Sequence, residues 1–164
     1  DLNGPLPFAD AEFDTVLATD VLEHLEDPAT LFREAARVLR PGGMLLLGCP
    51  FLYWIHEAPH DYGRYTSFLL ARLCRRFNLE VVVLRPTGGS PEVVMDLLGR
   101  HLAWWSALAA AQARLAGALL RLRPVRAFSV RSARWFPLGH LLVPGGGPRR
   151  RKPAHPPLKS SRVA

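Results

Sequence analysis

The densest run of chemically capable side chains lies between residues 50 and 66, PFLYWIHEAPHDYGRYT. Its histidines, carboxylates and tyrosines can transfer protons, hold substrates or bind metal ions. The letters His56-Glu57-Ala58-Pro59-His60 match a spacing by which one helix presents two zinc ligands, but a proline inside that helix would break it. We therefore predict no metal site. The run is interpreted as a substrate-facing loop, and the alternative is a loop whose polar groups satisfy one another.

A second polar group follows the short apolar run Phe13–Thr19, which is typical of a buried parallel strand. Thr19-Asp20-Val21 would lie at the carboxyl end of that strand, where open α/β sheets bind ligands. His24 comes next, and imidazoles titrate near neutral pH, so it can orient a substrate or act as a general base. The alternative is that Glu23 and His24 fix the loop by hydrogen bonding.

Hydrophobic periodicity predicts the elements that position these groups. Asp27-Pro28 supplies an N-cap and a proline at the first helical position. Pro41-Gly42-Gly43 ends that helix, and Met44–Cys49 reads as a second buried strand. The helix is expected to pack one face on the sheet, through Leu31, Phe32, Ala35, Val38 and Leu39.

Downstream, Thr66 is a predicted N-cap for a helix that runs to about Phe77. The side chains expected to point inward from it are Leu69, Leu70, Leu73, Cys74 and Phe77. Leu79–Leu84 predicts a third strand, residues 91–122 read as helical, and residues 136–144 read as a last, edge-like strand. Cys49 and Cys74 are expected to be small core residues in a reducing compartment.

Charge is unevenly distributed along the 164 residues, whose formal net charge is +7. Residues 1–66 hold eleven of the fourteen acidic residues, and residues 67–164 hold seventeen of the twenty-one Lys and Arg. A basic half can indicate nucleic acid or an anionic membrane surface, and the alternative is a solvated face with a disordered tail. Nucleic-acid binding is not expected, because the basic residues lack a base-stacking platform.

Four segments in order resemble class I S-adenosylmethionine-dependent methyltransferases. They are LPFADAEFD (6–14), VLATDVLEHL (16–25), ARVLRPGGMLLL (36–47) and HEAPHDYGRYT (56–66). The resemblance implies an α/β, Rossmann-like sheet and S-adenosylmethionine as cofactor. It covers residues 1–85 well and residues 136–144 weakly.

The resemblance also implies roles for individual residues. Asp1 and Leu2 match the position that contacts the adenine, with a polar terminus as the alternative, and Thr19, Asp20 and Val21 would line the methionine part of the cofactor. If the acceptor is a hydroxyl group, the candidate bases are His56 and His60. The expected substrate-binding residues are His24, Tyr62, Arg64 and Tyr65. The acceptor class stays open between small molecules, sugars and lipid-linked glycans.

The family's glycine-rich first loop has no counterpart in the printed sequence. Pro41-Gly42-Gly43 ends a helix instead of opening one, and residues 144–147 follow the last predicted strand. We therefore expect an incomplete sheet, the C-terminal part of such a domain, with impaired activity. A non-catalytic methyltransferase-like fragment is the alternative.

The expected organisation has four parts. Residues 1–90 form the C-terminal half of the α/β core, 91–135 a helical insertion, 136–144 the last strand and 145–164 a disordered basic tail. The insertion is expected to pack over the substrate site. Alternatively, residues 100–126, with Trp104-Trp105 and flanking arginines, lie on an anionic membrane. Since no signal-peptide pattern opens the sequence, we expect a cytoplasmic protein, or one peripheral at the inner membrane surface.

Overall fold

A four-stranded mixed sheet organises the chain. The computed structural model describes residues 1–145, so the predicted tail lies, from residue 146 onward, outside the described residues. The elements, in chain order, are β1 (Phe13–Thr19), α1 (Pro28–Val38), β2 (Leu39–Pro50), α2 (Ser67–Arg76), β3 (Glu80–Thr87), α3 (Ser90–Leu102), α4 (Ser106–Leu119), α5 (Arg123–Ser132) and β4 (Gly139–Gly145).

The strands lie in the order β1-β2-β4-β3. β1 and β2 are parallel and are joined through α1, whereas β4 runs antiparallel to both of its neighbours. Leu47 of β2 faces Leu142 of β4 across the sheet, and both side chains are fully buried. The predicted α/β class is confirmed.

Helix α1 begins as its sequence predicts. The Asp27 carboxylate accepts a hydrogen bond of 3.0 Å from the Ala29 backbone N–H, and Pro28 opens the first turn. The helix buries Phe32, Ala35 and Val38 against the sheet. It ends at Val38, and Leu39, which was expected on its inner face, is the first residue of β2.

The predicted bounds of the second strand were wrong. β2 spans Leu39–Pro50 instead of Met44–Cys49, and its pairing with β1 jumps between the pairs Phe13–Leu39 and Thr15–Met44. The extra residues bulge out of the ladder where Gly42 takes a φ of +83°. The sequence Pro41-Gly42-Gly43 is thus compatible with a bulge in a strand as well as with a turn that ends a helix.

Helix α2 also begins at its predicted cap, where the Thr66 hydroxyl accepts a 3.3 Å hydrogen bond from the Leu69 N–H. Leu70, Leu73 and Cys74 are buried. Leu69 is 38% exposed, so its predicted inward position was wrong. It precedes Leu70 by one residue, which turns its side chain about 100° away from the buried stripe.

Three helices occupy the chain between β3 and β4. α3 packs on α4 and on α5, and Gln112 of α4 donates a 2.9 Å hydrogen bond to the Met95 carbonyl of α3. α4 buries little, since Ala116 is its one buried residue. Within residues 1–145, no helix has the combination of length and apolar character that crossing a membrane requires.

Candidate functional site

A cleft of about 470 Å³ opens at the carboxyl ends of β1 and β2, where β4 begins. This is the edge of a sheet at which open α/β folds bind ligands. Gly48, Cys49 and Pro50 of β2 form its floor, and Leu138 to Leu141 form one wall. Its ionisable lining consists of Asp20, Glu23, His24, Cys49, Tyr53, His56, Glu57 and His140.

The turn after β1 aims Glu23 into the interior. Asp20 takes a φ of +52°, and its N–H donates a 2.9 Å hydrogen bond to the Gly48 carbonyl, which ties the turn to β2. A single 3-10 turn, Leu22–His24, follows. Its middle residue, Glu23, is 0% exposed, while His24 faces the cleft.

Glu23 has no hydrogen-bond partner within the described residues for either carboxylate oxygen. The nearest cationic or basic atoms are Nε2 of His24 and Nε2 of His56, each 3.8 Å from Oε1. That separation is too long for a hydrogen bond. Burial raises the pKa of Glu23 above its ordinary value.

Hydrogen bonds determine which imidazole nitrogens carry hydrogen. Nδ1 of His24 lies 2.6 Å from the His60 carbonyl oxygen. Nδ1 of His56 lies 3.3 Å from the Trp54 carbonyl oxygen and 3.3 Å from Oδ2 of Asp61. Because these oxygens only accept, both Nδ1 atoms donate, and in the neutral tautomer that this assigns the lone pair is on Nε2. Both lone pairs face Glu23.

An ion pair holds the loop that carries His56. The Asp61 carboxylate is 2% exposed, accepts a 2.9 Å hydrogen bond from the His56 backbone N–H and is paired with the guanidinium of Arg64. Arg64 also donates to the Trp54 carbonyl at 2.7 Å. The guanidinium holds the pKa of Asp61 well below its usual range. The pair therefore fixes the backbone at Trp54 and at His56.

Two cleft residues were missed from the sequence. His140 of β4 is 6% exposed, its Nδ1 atom has no partner within the described residues, and burial lowers its pKa. Burial raises the pKa of Cys49 to about 12. Both groups therefore stay neutral near pH 7. The signal for His140 was a histidine inside the apolar run FPLGHLLVP. Burying a polar side chain in a strand costs free energy, so a histidine there suggests a functional role.

The structure brings together some of the predicted site residues. Asp20, His24 and His56 line the cleft. His60 does not, because its ring is bonded at 3.0 Å to the hydroxyl group of Tyr62, whose side chain is 48% exposed. His60 instead contributes its backbone carbonyl to His24.

Other predicted residues lie away from the cleft. Tyr65 is 6% exposed and its hydroxyl group donates to the Leu22 carbonyl at 3.2 Å. The Asp1 carboxylate accepts from the Asn3 N–H, and Leu2 packs against the core. Arg64, Thr19 and Val21 are not among the residues that line the cleft in the described part of the chain.

Comparison with known proteins finds partial matches to methyltransferases. Residues 2–47 match the methyltransferase domain family. A 43-residue segment is 56% identical to 27-O-demethylrifamycin SV methyltransferase of Amycolatopsis mediterranei (strain S699), over 26% of this chain and 16% of that protein. A 73-residue segment is 36% identical to demethylmenaquinone methyltransferase of Tropheryma whipplei (strain Twist), over 44% of this chain and 30% of that protein.

Both of these relatives are methyltransferases, and the matched segments of this chain are similar to the methyltransferase domain family. The matched segments span less than a third of the length of these two curated relatives.

Solved structures show the same methyltransferase-type fold. A putative sarcosine dimethylglycine methyltransferase from Galdieria sulphuraria has a TM-score of 0.54 at 17% identity, over 90% of this chain and 57% of that one. Phosphoethanolamine N-methyltransferase 2 of Haemonchus contortus, in complex with S-adenosyl-L-methionine, has a TM-score of 0.53 at 16% identity. The match covers 90% of this chain and 36% of that one. The [4+2]-cyclase SpnF has a TM-score of 0.52 at 19% identity, over 90% of this chain and 54% of that one. The fold thus carries more than one chemistry.

Proposed function

We propose that this chain supplies the acceptor side of an S-adenosylmethionine-dependent methyltransferase. The observation that carries the proposal is the cleft at the carboxyl ends of β1 and β2, whose lining combines Asp20 with the imidazoles of His24 and His56. Apolar walls with a few convergent polar groups are typical of small-molecule sites. The acceptor class we propose is a small molecule, a sugar or a lipid-linked glycan.

In methyl transfer, the main contribution of the protein is to position the acceptor and the cofactor. A lone pair of the acceptor forms a bond to the methyl carbon as the sulfur–carbon bond breaks, and the sulfonium becomes a neutral thioether. Holding the two reactants in line supplies most of the acceleration. An acceptor hydroxyl also loses a proton, and His56, which lines the cleft, is the base that we propose to receive it. We therefore place His56, and not His60, next to the acceptor.

Cofactor binding in this proposal needs a glycine-rich segment in addition to the present chain. Glycines allow the backbone to approach the methionine and ribose moieties closely. The resemblance implies that Thr19-Asp20-Val21 contribute to the methionine end and Asp1-Leu2 to the adenine end. Of these residues, Asp20 lines the cleft of the present chain. By itself it is expected to bind S-adenosylmethionine weakly.

The test is calorimetric titration with S-adenosylmethionine. Two proteins are compared: this chain, and a version extended at its amino terminus by a segment with the glycine-rich loop. We expect binding by the extended protein and at least tenfold weaker binding by the shorter one, about 1.4 kcal/mol. Asp20→Asn should weaken binding in the extended protein, whereas Asp14→Asn, an exposed carboxylate outside the cleft, should not. If the extended protein fails to bind at millimolar ligand, the proposed function is wrong.

A non-methylating role is the second reading of the same cleft. The structural likeness to a protein described as a [4+2]-cyclase supports it, because the same fold there serves a reaction of another class. The two readings differ in one measurement. A methyltransferase consumes S-adenosylmethionine when its acceptor is present, and a non-catalytic or non-methylating protein binds without consuming it.

A separate surface supports contact with membranes. At the corner between α3 and α4, Trp104 is 90% exposed and Trp105 is 60% exposed. The arginines on the same stretch that are exposed are Arg114, Arg121, Arg123 and Arg126. Arg100 does not belong to this set, because it pairs with Asp96 and stacks on Tyr53 and Trp54. Exposed indoles beside arginines suit an anionic lipid surface. We propose a cytoplasmic protein that touches the inner membrane surface through residues 100–126.

Vesicle sedimentation tests the membrane contact. The chain is mixed with vesicles of phosphatidylcholine alone or with a third of phosphatidylglycerol. Binding is expected only to the anionic vesicles and is expected to fall with added salt. The double variant Trp104→Ser/Trp105→Ser should lose it, while Trp135→Ser, a comparably exposed indole outside 100–126, should keep it. Equal binding by all three proteins would remove this proposal.

A further inference from the structure

The carboxylate of Glu23 is an unexplained group in this fold. It is 0% exposed, and neither of its oxygens has a hydrogen-bond partner within the described residues. An ionised carboxylate buried in this way is costly unless a cation or a set of donors compensates it. The groups that face it are the Nε2 atoms of two imidazoles, which carry lone pairs in the neutral tautomers that their Nδ1 hydrogen bonds assign. Lone pairs repel a carboxylate, so the arrangement as it stands is incomplete.

We propose that Glu23, His24 and His56 bind a divalent transition-metal ion. One ligand atom from each residue lies within 4.8 Å of the other two. A metal about 2.0–2.2 Å from each donor places neighbouring donors roughly 3.0–3.5 Å apart. The two separations between Oε1 of Glu23 and the Nε2 atoms are 3.8 Å, so each needs to close by about 0.3–0.8 Å. A cation at their centre satisfies the carboxylate and both lone pairs at once.

The surroundings of the two imidazoles support ligation. Histidines that bind metals almost always donate their other ring N–H to a carbonyl or carboxylate oxygen, which fixes the ring and its tautomer. His24 does so to the His60 carbonyl, and His56 does so to Asp61 and the Trp54 carbonyl. Asp61 is in turn held by Arg64. Both rings are therefore fixed before a metal arrives.

The site differs from the one that the sequence argument tested. Pro59 does prevent a helix, and residues 51–66 contain neither helix nor strand. His56 and His60 are consequently not presented together. The second imidazole comes from His24, on the turn after β1, and His60 supports that residue through its backbone. The prediction of no metal site was based on His56 and His60, which lie in one segment. The site proposed here joins His24 and His56, which lie 32 residues apart in the chain.

The donor set indicates the class of ion. Imidazole suits zinc, iron, nickel and copper in their divalent states, and two imidazoles with one carboxylate are a set found for zinc and for iron(II). Three protein ligands leave at least one coordination position for water or a substrate oxygen. Glu57, whose Oε2 atom lies 3.8 Å from Nε2 of His24 and whose side chain is 75% exposed, is within reach as a fourth ligand.

A role in methyl transfer follows only if the proposed function holds. With a metal bound, Nε2 of His56 is a ligand and does not take a proton. An acceptor hydroxyl on the open position would then lose its proton to solvent, because the ion's charge lowers the hydroxyl pKa. The metal would thus replace His56 as the means of activating the acceptor.

The experiment measures metal binding by the full printed chain without any cofactor. The metal-free protein is titrated with Zn²⁺ in competition with a chromogenic chelator, and Co²⁺ is used as a spectroscopic probe of imidazole ligation. We expect one ion per chain. Glu23→Gln, His24→Gln and His56→Gln should each weaken Zn²⁺ affinity at least tenfold. Asp61→Asn, which removes support from His56, should weaken it about 10–100-fold.

His101→Gln is the matched control, since His101 is an exposed imidazole on α3 whose Nδ1 atom lies 2.8 Å from the Leu97 carbonyl. It should bind as the parent does. Circular dichroism establishes that each variant is folded, and Glu23→Gln keeps the shape of the side chain if a histidine variant fails to fold. The site does not exist if the parent binds no Zn²⁺, or if the cluster variants bind no more weakly than His101→Gln. A failure here leaves the S-adenosylmethionine titration unaffected, and the reverse also holds.

Discussion

Tyr62 and Tyr65 lie three residues apart in one loop, and their hydroxyl groups meet different surroundings. The Tyr65 hydroxyl donates to the Leu22 carbonyl inside the core, just before Glu23 in the chain. Tyr62 lies at the surface, although its backbone N–H donates to the Glu23 carbonyl at 2.8 Å. Both residues thus support the turn that carries Glu23, one through its side chain and one through its backbone.

Tyr65→Phe should therefore destabilise the fold by about 0.5–1.5 kcal/mol, since one buried hydrogen bond is lost. Tyr62→Phe is the control and should change stability by less than about 0.5 kcal/mol, because the altered hydroxyl is exposed. Urea-induced unfolding at pH 7 measures both. Equal losses in the two variants would contradict the placement of Tyr65.

The two thiols should be unreactive in the native state. Burial raises the pKa of Cys49 to about 12 and that of Cys74 to about 11, so the thiolate is scarce at pH 8. Labelling with a disulfide reagent should be at least about a hundredfold slower in the native chain than in urea. Rapid labelling of one cysteine in buffer would show that its strand or helix opens readily.

At the scale of elements, helix α1 holds the segment that precedes β1. Glu34 is 6% exposed and accepts a 2.9 Å hydrogen bond from the Leu6 N–H. Arg37 pairs with Glu34 at 2.7 Å and donates to the Leu6 and Phe8 carbonyls. One ion pair on the outer edge of the helix therefore fastens residues 6–8. Hydrogen bonding to Arg37 lowers the pKa of Glu34.

Glu34→Gln should destabilise the chain by about 1–3 kcal/mol at pH 7, because hydrogen bonds to a charged group are lost. A lowered folded-state pKa stabilises the fold above the unfolded pKa of about 4.3 and ceases to do so as the pH falls through the folded value. The difference in the free energy of unfolding between the parent and Glu34→Gln should therefore become smaller below about pH 4. Denaturant titrations from pH 3 to 7 measure it. Asp14→Asn, in an exposed pair with Arg40, should show a smaller and less pH-dependent change.

Two glycines give opposite expectations for the helical insertion. A Cβ atom on Gly89, which precedes α3, would clash with the Ser129 carbonyl oxygen of α5. A Cβ atom on Gly117 of α4 would meet nothing within 4 Å. Gly89→Ala should therefore separate α3 from α5 and lower the thermal midpoint. Gly117→Ala should stabilise by about 0.5–1 kcal/mol, as alanine is the better helix former. A stabilising Gly89→Ala would contradict the observed packing of α3 on α5.

At the scale of the whole molecule, the sheet of residues 1–145 ends in two exposed edges, β1 and β3. Leu17 of β1 is 69% exposed and Val82 of β3 is 59% exposed. An uncovered edge with apolar side chains is a template for pairing with another strand. The chain as printed therefore has a surface on which copies can associate.

Light scattering at increasing concentration should show self-association of the printed chain. Leu17→Lys should reduce it, since a charge on an edge strand opposes pairing. Val130→Lys, at an equally exposed position on α5, should not. If both substitutions have the same effect, general surface apolarity and not the edge is responsible.

Local signals made parts of this fold predictable. Asp27 and Thr66 were recognisable as caps because capping depends on a few adjacent residues. The start of β2 was not, because Pro41-Gly42-Gly43 suits both a turn and a bulge. Likewise, the letters of residues 56–66 revealed a polar loop but not that His56 faces Glu23 while His60 faces outward. That distinction depends on the Asp61–Arg64 pair and on a turn from another part of the chain.

The position of β4 has a consequence for synthesis of the chain. Of the four described strands it is the last to be translated, yet it lies between β2 and β3. Residues 88–138 separate it from β3, and translating them takes about 3–10 s at ordinary elongation rates. Helices form in microseconds, so α3, α4 and α5 have time to form while β2 and β3 still lack their common neighbour. During those seconds the edges of β2 and β3 that β4 later covers are unpaired in the nascent chain, and chaperones have that interval in which to act.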